Sequence, residues 1–178
     1  MSGILKKGYV QVYTGNGKGK TTAALGQALR ASGYGLRTIV IQFMKGSRDC
    51  GEIKAAELLR PYLTIEPMGR DCLIDHDHPL PADYEYARKA LKLAREHLAR
   101  KEYDIVVLDE ITVAVDFGLI DVKSVVDLME SRPDDVELIL TGRYACPEVV
   151  DRADLVTEMV ERKHYYQENV AERIGIEK

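Results

Sequence analysis

The chain has 178 residues, 46% hydrophobic and 30% charged, with a formal net charge of -4. This length suits one well-cored domain and is short for two, and the charge balance gives no general attraction to nucleic acid or anionic membranes. Cys50, Cys72 and Cys146 are odd in number and widely spaced, which argues against a disulfide framework, and neither a signal-like apolar run nor ~18 consecutive apolar residues is present, so a cytoplasmic protein is expected.

Residues 9–13 alternate as a first strand, and a glycine-rich segment, Gly15-Asn16-Gly17-Lys18-Gly19-Lys20-Thr21, follows at once. Glycines let successive N–H groups curl around an anion, and a helix opening near Lys20 adds its positive end. Lys20 reaches phosphate oxygens, and the Thr21 hydroxyl sits where a magnesium ion bridging those oxygens needs a ligand. The strict pattern has glycine where this chain has Thr14, so the match is Gly-Lys-Thr with a displaced first glycine. Residues 22–31 read as the following helix, with Ala24, Leu25, Ala28 and Leu29 as a small-residue stripe against a sheet.

Residues 38–43 form an apolar second strand of the kind buried on both faces. The segment leaving its carboxyl end places Gln42, Lys45 and Ser47 either against a substrate or in an ordinary polar loop. A helix over 52–60, with Ala55, Ala56, Leu58 and Leu59 near one face, ends at Pro61, and a short strand covers 63–66. Residues 68–82 read as a long loop. Its Asp75-His76-Asp77-His78 run fits solvated side chains better than a metal site, since alternation in a loop fixes no ligand geometry. Residues 82–101 show helical spacing at Tyr86, Ala90, Leu93, Ala94 and His97/Leu98.

Residues 103–110 make a buried strand ending in Asp109 and Glu110, placed so that a carboxylate near Thr21 holds magnesium directly or through water. A helix from about Asp121 to Ser131, a strand over 136–141, a short helix over 147–153 and a last strand over 155–160 follow. Arg143, just after a strand, either stabilises phosphate charge or forms a structural salt bridge, and residues 162–167 read as a solvated edge. Together these elements predict an α/β fold with a mostly parallel central sheet.

The sequence resembles the ATP:corrinoid (cob(I)alamin) adenosyltransferases that carry a phosphate-binding loop. The resemblance spans nearly the whole chain and rests on TGNGKGKTTAA at 14–24, QFMKG at 42–46, VVLDEIT at 106–112, SRP with LILTGR at 131–143 and the KH…GIE ending at 163–177. It implies a single-domain, three-layer P-loop NTPase fold of RecA-like type over residues 1–178. The implied reaction is attack by the cobalt(I) of a corrinoid (cobalamin, cobinamide or cobyrinic acid a,c-diamide) on the 5′ carbon of ATP, releasing triphosphate, in adenosylcobalamin synthesis or salvage. It also implies a reversed phosphate order in the loop, a transient flavoprotein reductant and a homodimer. Carried onto this chain, Gly15, Asn16, Gly17, Lys18, Gly19, Lys20, Thr21, Thr22 and Arg143 bind the nucleotide, Thr21, Glu110 and Asp109 hold Mg²⁺, and Lys20, Thr21 and Glu110 serve catalysis.

Two departures stand out. Familiar members place aromatics of a Gly-Phe-Thr-Trp stretch against the corrinoid, where this chain reads Gly69-Arg70-Asp71-Cys72-Leu73-Ile74 and has no Trp. Leu73, Ile74 or tyrosines elsewhere are left to fill that role, and Cys72 reads as a packed thiol rather than a cobalt ligand. The chain also starts close to its first strand, without the longer N-terminal extension of some members, which implies a more open site or a different dimer contact. Two other readings of the phosphate loop are a phosphate-transferring ATPase or kinase and a nucleotide-switched regulator without turnover.

Overall fold

The computed structural model describes residues 5–177. Six strands form one sheet, β1 (Val10–Thr14), β2 (Thr38–Phe43), β3 (Leu63–Met68), β4 (Ile105–Asp109), β5 (Glu137–Thr141) and β6 (Leu155–Glu158), in the order β3-β2-β4-β5-β1-β6. Every pairing is parallel. The helices are α1 (Lys20–Ser32), α2 (Gly51–Leu58), α3 (Pro81–Arg100), α4 (Ile111–Asp116), α5 (Val122–Glu130) and α6 (Pro147–Val150), and a 3₁₀ turn covers Tyr165–Glu168.

Side chains alternate across a strand, so each central strand feeds two cores. Val10, Val12, Ile41, Leu108, Leu138 and Leu140 face α3, α4 and α5, while Tyr13, Val40, Val107 and Ile139 face α1 and α2. Each such buried aliphatic side chain contributes about 1.5–3 kcal/mol, and helices on both faces explain why the strands read as continuous apolar runs. β6 is exposed along its length at the sheet edge.

Three amphipathic assignments shift. On α1 the buried residues facing the sheet are Ala24, Ala28 and Ala31, whereas Leu29 is exposed and Leu25 only half-buried, because the i, i+4, i+7 face lies about 100° round from the leucines. Methyl-sized contacts bring α1 close to the strands. On α2 only Ala56 is buried, with Ile53 and Leu59 packed beside it, and Ala55 and Leu58 point to solvent. On α3 the buried stripe is Ala87, Ala90, Leu91, Ala94 and Leu98, leaving Tyr86 exposed and Leu93 on its margin. The short helix α4 was not expected from the sequence, since its VVLDEIT context reads through as strand and loop.

Candidate functional site

The alternation that builds the cores also builds the site. On the α1 face, Val40 is followed two residues later by Gln42, Val107 by Asp109 and Ile139 by Thr141, so three polar side chains end three neighbouring strands on one side. Strand register pairs Gln42 with Asp109 and Leu108 with Leu140, and all three polar residues are at most 1% exposed. They lie at the carboxyl edge beneath the start of α1, where ligands of open parallel sheets bind.

Asp109 gathers this layer. Its Oδ1 accepts hydroxyl hydrogen bonds from Thr21 at 2.8 Å and Thr141 at 2.6 Å, and its Oδ2 accepts from the Lys45 ammonium at 2.8 Å and, at 3.4 Å, the Gln42 amide. Burial alone would push this carboxyl up; the Lys45 charge and the two hydroxyls outweigh it and hold the carboxyl below its ordinary range. Thr21 spends its proton on Asp109 and accepts from the Lys45 ammonium at 3.5 Å, which leaves one oxygen lone pair for the cavity. Glu110 is the opposite case. It sits in left-handed backbone at φ 63°, its N–H held by Thr141 Oγ1 at 3.0 Å. Among the described residues its carboxylate takes no hydrogen bond or ion pair, and burial followed by the Asp109 charge pushes it up.

The glycine loop wraps tightly. Gly15 and Gly19 have φ of 96° and 120°, open to glycine and strained for other residues. A methyl on Gly15 or Gly17 would strike the carbonyl oxygen of Met159 just beyond β6, at 2.5 and 2.7 Å. Lys20 is 7% exposed and folds back onto the Gly17 carbonyl at 2.7 Å, and burial pushes its ammonium down.

A cavity of about 300 Å³ opens over this loop, lined by Lys18, Gly19, Lys20, Thr21 and Thr22 together with Lys45 and Glu110. Gly15 and Gly17 are not in the lining and pack on Met159, Asn16 is exposed outside the lining, and Arg143 is exposed but close enough for its charge to act on Lys20 and Glu110. Leu25, displaced from the helix–sheet contact, lines the cavity as well. So do Gly175, Ile176 and Glu177 near the chain end, where Lys18 donates to the Ile176 carbonyl at 3.3 Å. Their placement gives a structural role to part of a terminal segment whose residues 162–167 read as solvated edge; no local periodicity marks it.

An apolar cavity of about 210 Å³ adjoins, walled by Phe43, Met44, Leu73, Ile74 and Phe117 with Lys45 and Glu110 at one side. Leu73 is almost fully exposed and Ile74 packs on the core. No tyrosine lines this cavity among the described residues, and Phe117, which the sequence did not single out, adds a second ring to that of Phe43. Cys72 is exposed rather than packed. His76 and His78 are exposed and face loop aspartates, His76 to Asp77 at 3.0 Å and His78 to Asp75 at 3.3 Å.

A glycine loop joining the first strand of an all-parallel sheet to a helix, with a lysine and threonine at the helix start and an acid pair at the end of β4, separated from that first strand by β5, defines a P-loop nucleotide-binding protein. The fold agrees with that of a KaiC-like protein from Pyrococcus horikoshii OT3, at a TM-score of 0.55 and 17% identity over 85% of this chain and 72% of that one. The family model for the ATP:corrinoid adenosyltransferases BtuR/CobO/CobP matches residues 6–177, and the chain belongs to this family. It is 35% identical to the corrinoid adenosyltransferase of Escherichia coli K12 and 34% identical to that of Salmonella typhimurium LT2, each over 97% of this chain and 86% of the relative. The corrinoid adenosyltransferase of Pseudomonas aeruginosa is 32% identical over 97% of this chain and 84% of its own length.

Proposed function

We propose that the protein transfers the 5′-deoxyadenosyl group of ATP to the cobalt(I) of a corrinoid and releases triphosphate. The observation that carries this reading is the shared wall. The phosphate-loop cavity and the apolar cavity meet at Lys45 and Glu110, so a polyanion on the loop and a large apolar-faced ligand would touch at one end of the phosphate site. Reversed phosphate order, as the family resemblance implies, puts the 5′ carbon at that end.

Cobalt(I) is a strong nucleophile, so the protein's task is positioning and stabilising the leaving group. Loop N–H groups, Lys20 and Lys18 hold the phosphates. The donor set fits Mg²⁺: a threonine oxygen whose proton is committed elsewhere and a carboxylate with no hydrogen-bond or ion-pair partner among the described residues, the two protein ligands that suffice when phosphates and water supply the rest. When bound there, Mg²⁺ supplies charge neutralisation on the triphosphate. Thr21 and Glu110 would ligate it, and Asp109, with both oxygens engaged, orients Thr21 rather than ligating. Met44, Leu73, Ile74 and Phe117 offer the apolar surface for the corrinoid. A cytoplasmic homodimer served by a flavoprotein reductant completes the reading. Among the described residues no helix is long and apolar enough to cross a membrane.

The test is anaerobic incubation with magnesium-ATP and chemically reduced cobalamin, following cobalt(I) absorbance and separating the nucleotide products. Adenosylcobalamin with intact triphosphate is expected. Lys20→Ala should lower formation of both by about 100-fold or more, the scale of losing one preorganised charge contact. ADP with unchanged corrinoid would sink the reading in favour of phosphate transfer.

A further inference from the structure

Lys45 lines the phosphate-loop cavity, the apolar cavity and a third, of about 560 Å³, that runs between the segments after β2 and β3. Among the described residues it is the only cation on the apolar cavity's wall. The backbone that carries it is built under constraint. Met44, just before it, adopts φ 62°, uncommon for a side chain of that size. Gly46 just after it lies so close to Arg70 and Asp71 that a methyl would fall 2.4 Å from the Arg70 carbonyl carbon, and a methyl on Gly69 would fall 2.5 Å from that of Met44. Strained backbone that the surroundings over-determine is a mark of functional placement. The result is an ammonium at 2.8 Å from Asp109 and 3.5 Å from Thr21 Oγ1, with its side chain 35% exposed.

We propose that Lys45 is a second phosphate-binding lysine, aimed at the end of the triphosphate that separates from the 5′ carbon, where it neutralises the charge that appears as that bond breaks. The proposal rests on the adenosyl-transfer reading. In that step the cobalt(I) electron pair forms the cobalt–carbon bond, the carbon–oxygen bond breaks with its pair passing to the triphosphate oxygen, cobalt becomes formally cobalt(III), and no proton moves. One unit of negative charge therefore develops on the oxygen facing the apolar cavity, at the wall Lys45 occupies. A fixed cation there acts more strongly on product and transition state than on ATP, whose same oxygen is esterified. Lys20, at the loop, serves both states alike.

The competing account is that Lys45 only neutralises buried Asp109. Titration calorimetry on the full chain with magnesium triphosphate and, separately, magnesium-ATP, without corrinoid, distinguishes them. Lys45→Met should weaken triphosphate by about tenfold or more and ATP by less than about threefold, and Lys45→Arg should keep both within about threefold. The double variant Lys45→Met/Asp109→Asn removes the Asp109 charge that Lys45 neutralises and should keep the selective triphosphate defect; if Lys45→Met does not fold, this variant carries the comparison. Equal weakening of both ligands, no weakening, or recovery in the double variant would overturn the proposal. Failure of the adenosyl-transfer reading shows separately, as ADP instead of adenosylcobalamin and triphosphate with the wild-type protein.

Discussion

Gly46→Ala tests whether the contact between the loops after β2 and β3 sets the site. The added methyl would stand 2.4 Å from the Arg70 carbonyl carbon and 2.6 Å from both Asp71 N and Gly69 O. Carbon pairs rest at about 3.5–4.0 Å, so the loops must part by about 1 Å, and every obstructing atom is backbone. The far loop is anchored, because the Arg70 guanidinium makes paired hydrogen bonds of 2.6 and 3.0 Å to fully buried Asp83 at the start of α3. The movement therefore falls on residues 44–47. A shift of that size takes Lys45 from 2.8 Å to about 3.8 Å from Asp109, beyond hydrogen-bond reach. The fold should survive at a cost of about 1–3 kcal/mol in urea unfolding, while adenosylation turnover drops about 10- to 100-fold and ATP affinity, set mainly by the opposite wall, changes little. Turnover within about twofold of wild type would refute the argument that this backbone contact fixes the site.

Glu110→Gln should show a pH signature in the absence of nucleotide and divalent ions. The Glu110 carboxyl is raised in the fold, so its contribution favours folding below the ordinary glutamate value and is lost as pH rises through the raised one. The variant should therefore melt higher than wild type at about pH 8, with the difference shrinking toward about pH 4; thermal unfolding across that range would contradict the reading if the curves stayed parallel. Asp109 works in the other sense, its contribution being present above the ordinary aspartate value and lost as pH falls through its lowered one. Leu108→Ala, which empties a fully buried position on β4, should cost about 2–5 kcal/mol by chemical denaturation without moving the polar layer; a loss below about 1 kcal/mol would mean the core closes over the gap.

The Gly-Lys-Thr loop, the apolar strands and the Asp-Glu pair were legible because each is a local pattern with a local physical cause. Thr141 was missed as a site residue although a signal existed: like Gln42 and Asp109, it is the polar residue that follows an apolar alternation on the α1 face. Lys45 stood between substrate contact and ordinary loop because nothing in QFMKG reveals that Gly46 and Gly69 bring two backbones together. Phe117 caps the end of a short helix that composition does not mark, and Leu25 and Leu29 lie off the sheet-facing stripe because the close approach that alanines allow outweighs leucine's hydrophobicity.

Sequence by itself determined the parallel α/β arrangement, the phosphate loop and the chemical class of the ligand it holds, since backbone freedom at glycine, strand alternation and the helix start act over a few residues. Tertiary structure alone decided what meets that loop. Register between β2, β4 and β5 stacked Gln42, Asp109 and Thr141, backbone contact between residues 44–46 and 69–71 delivered Lys45 to the wall between two cavities, and the chain end reached back to the loop. These are contacts between residues tens of positions apart, and their geometry depends on the whole sheet rather than on any stretch of the chain.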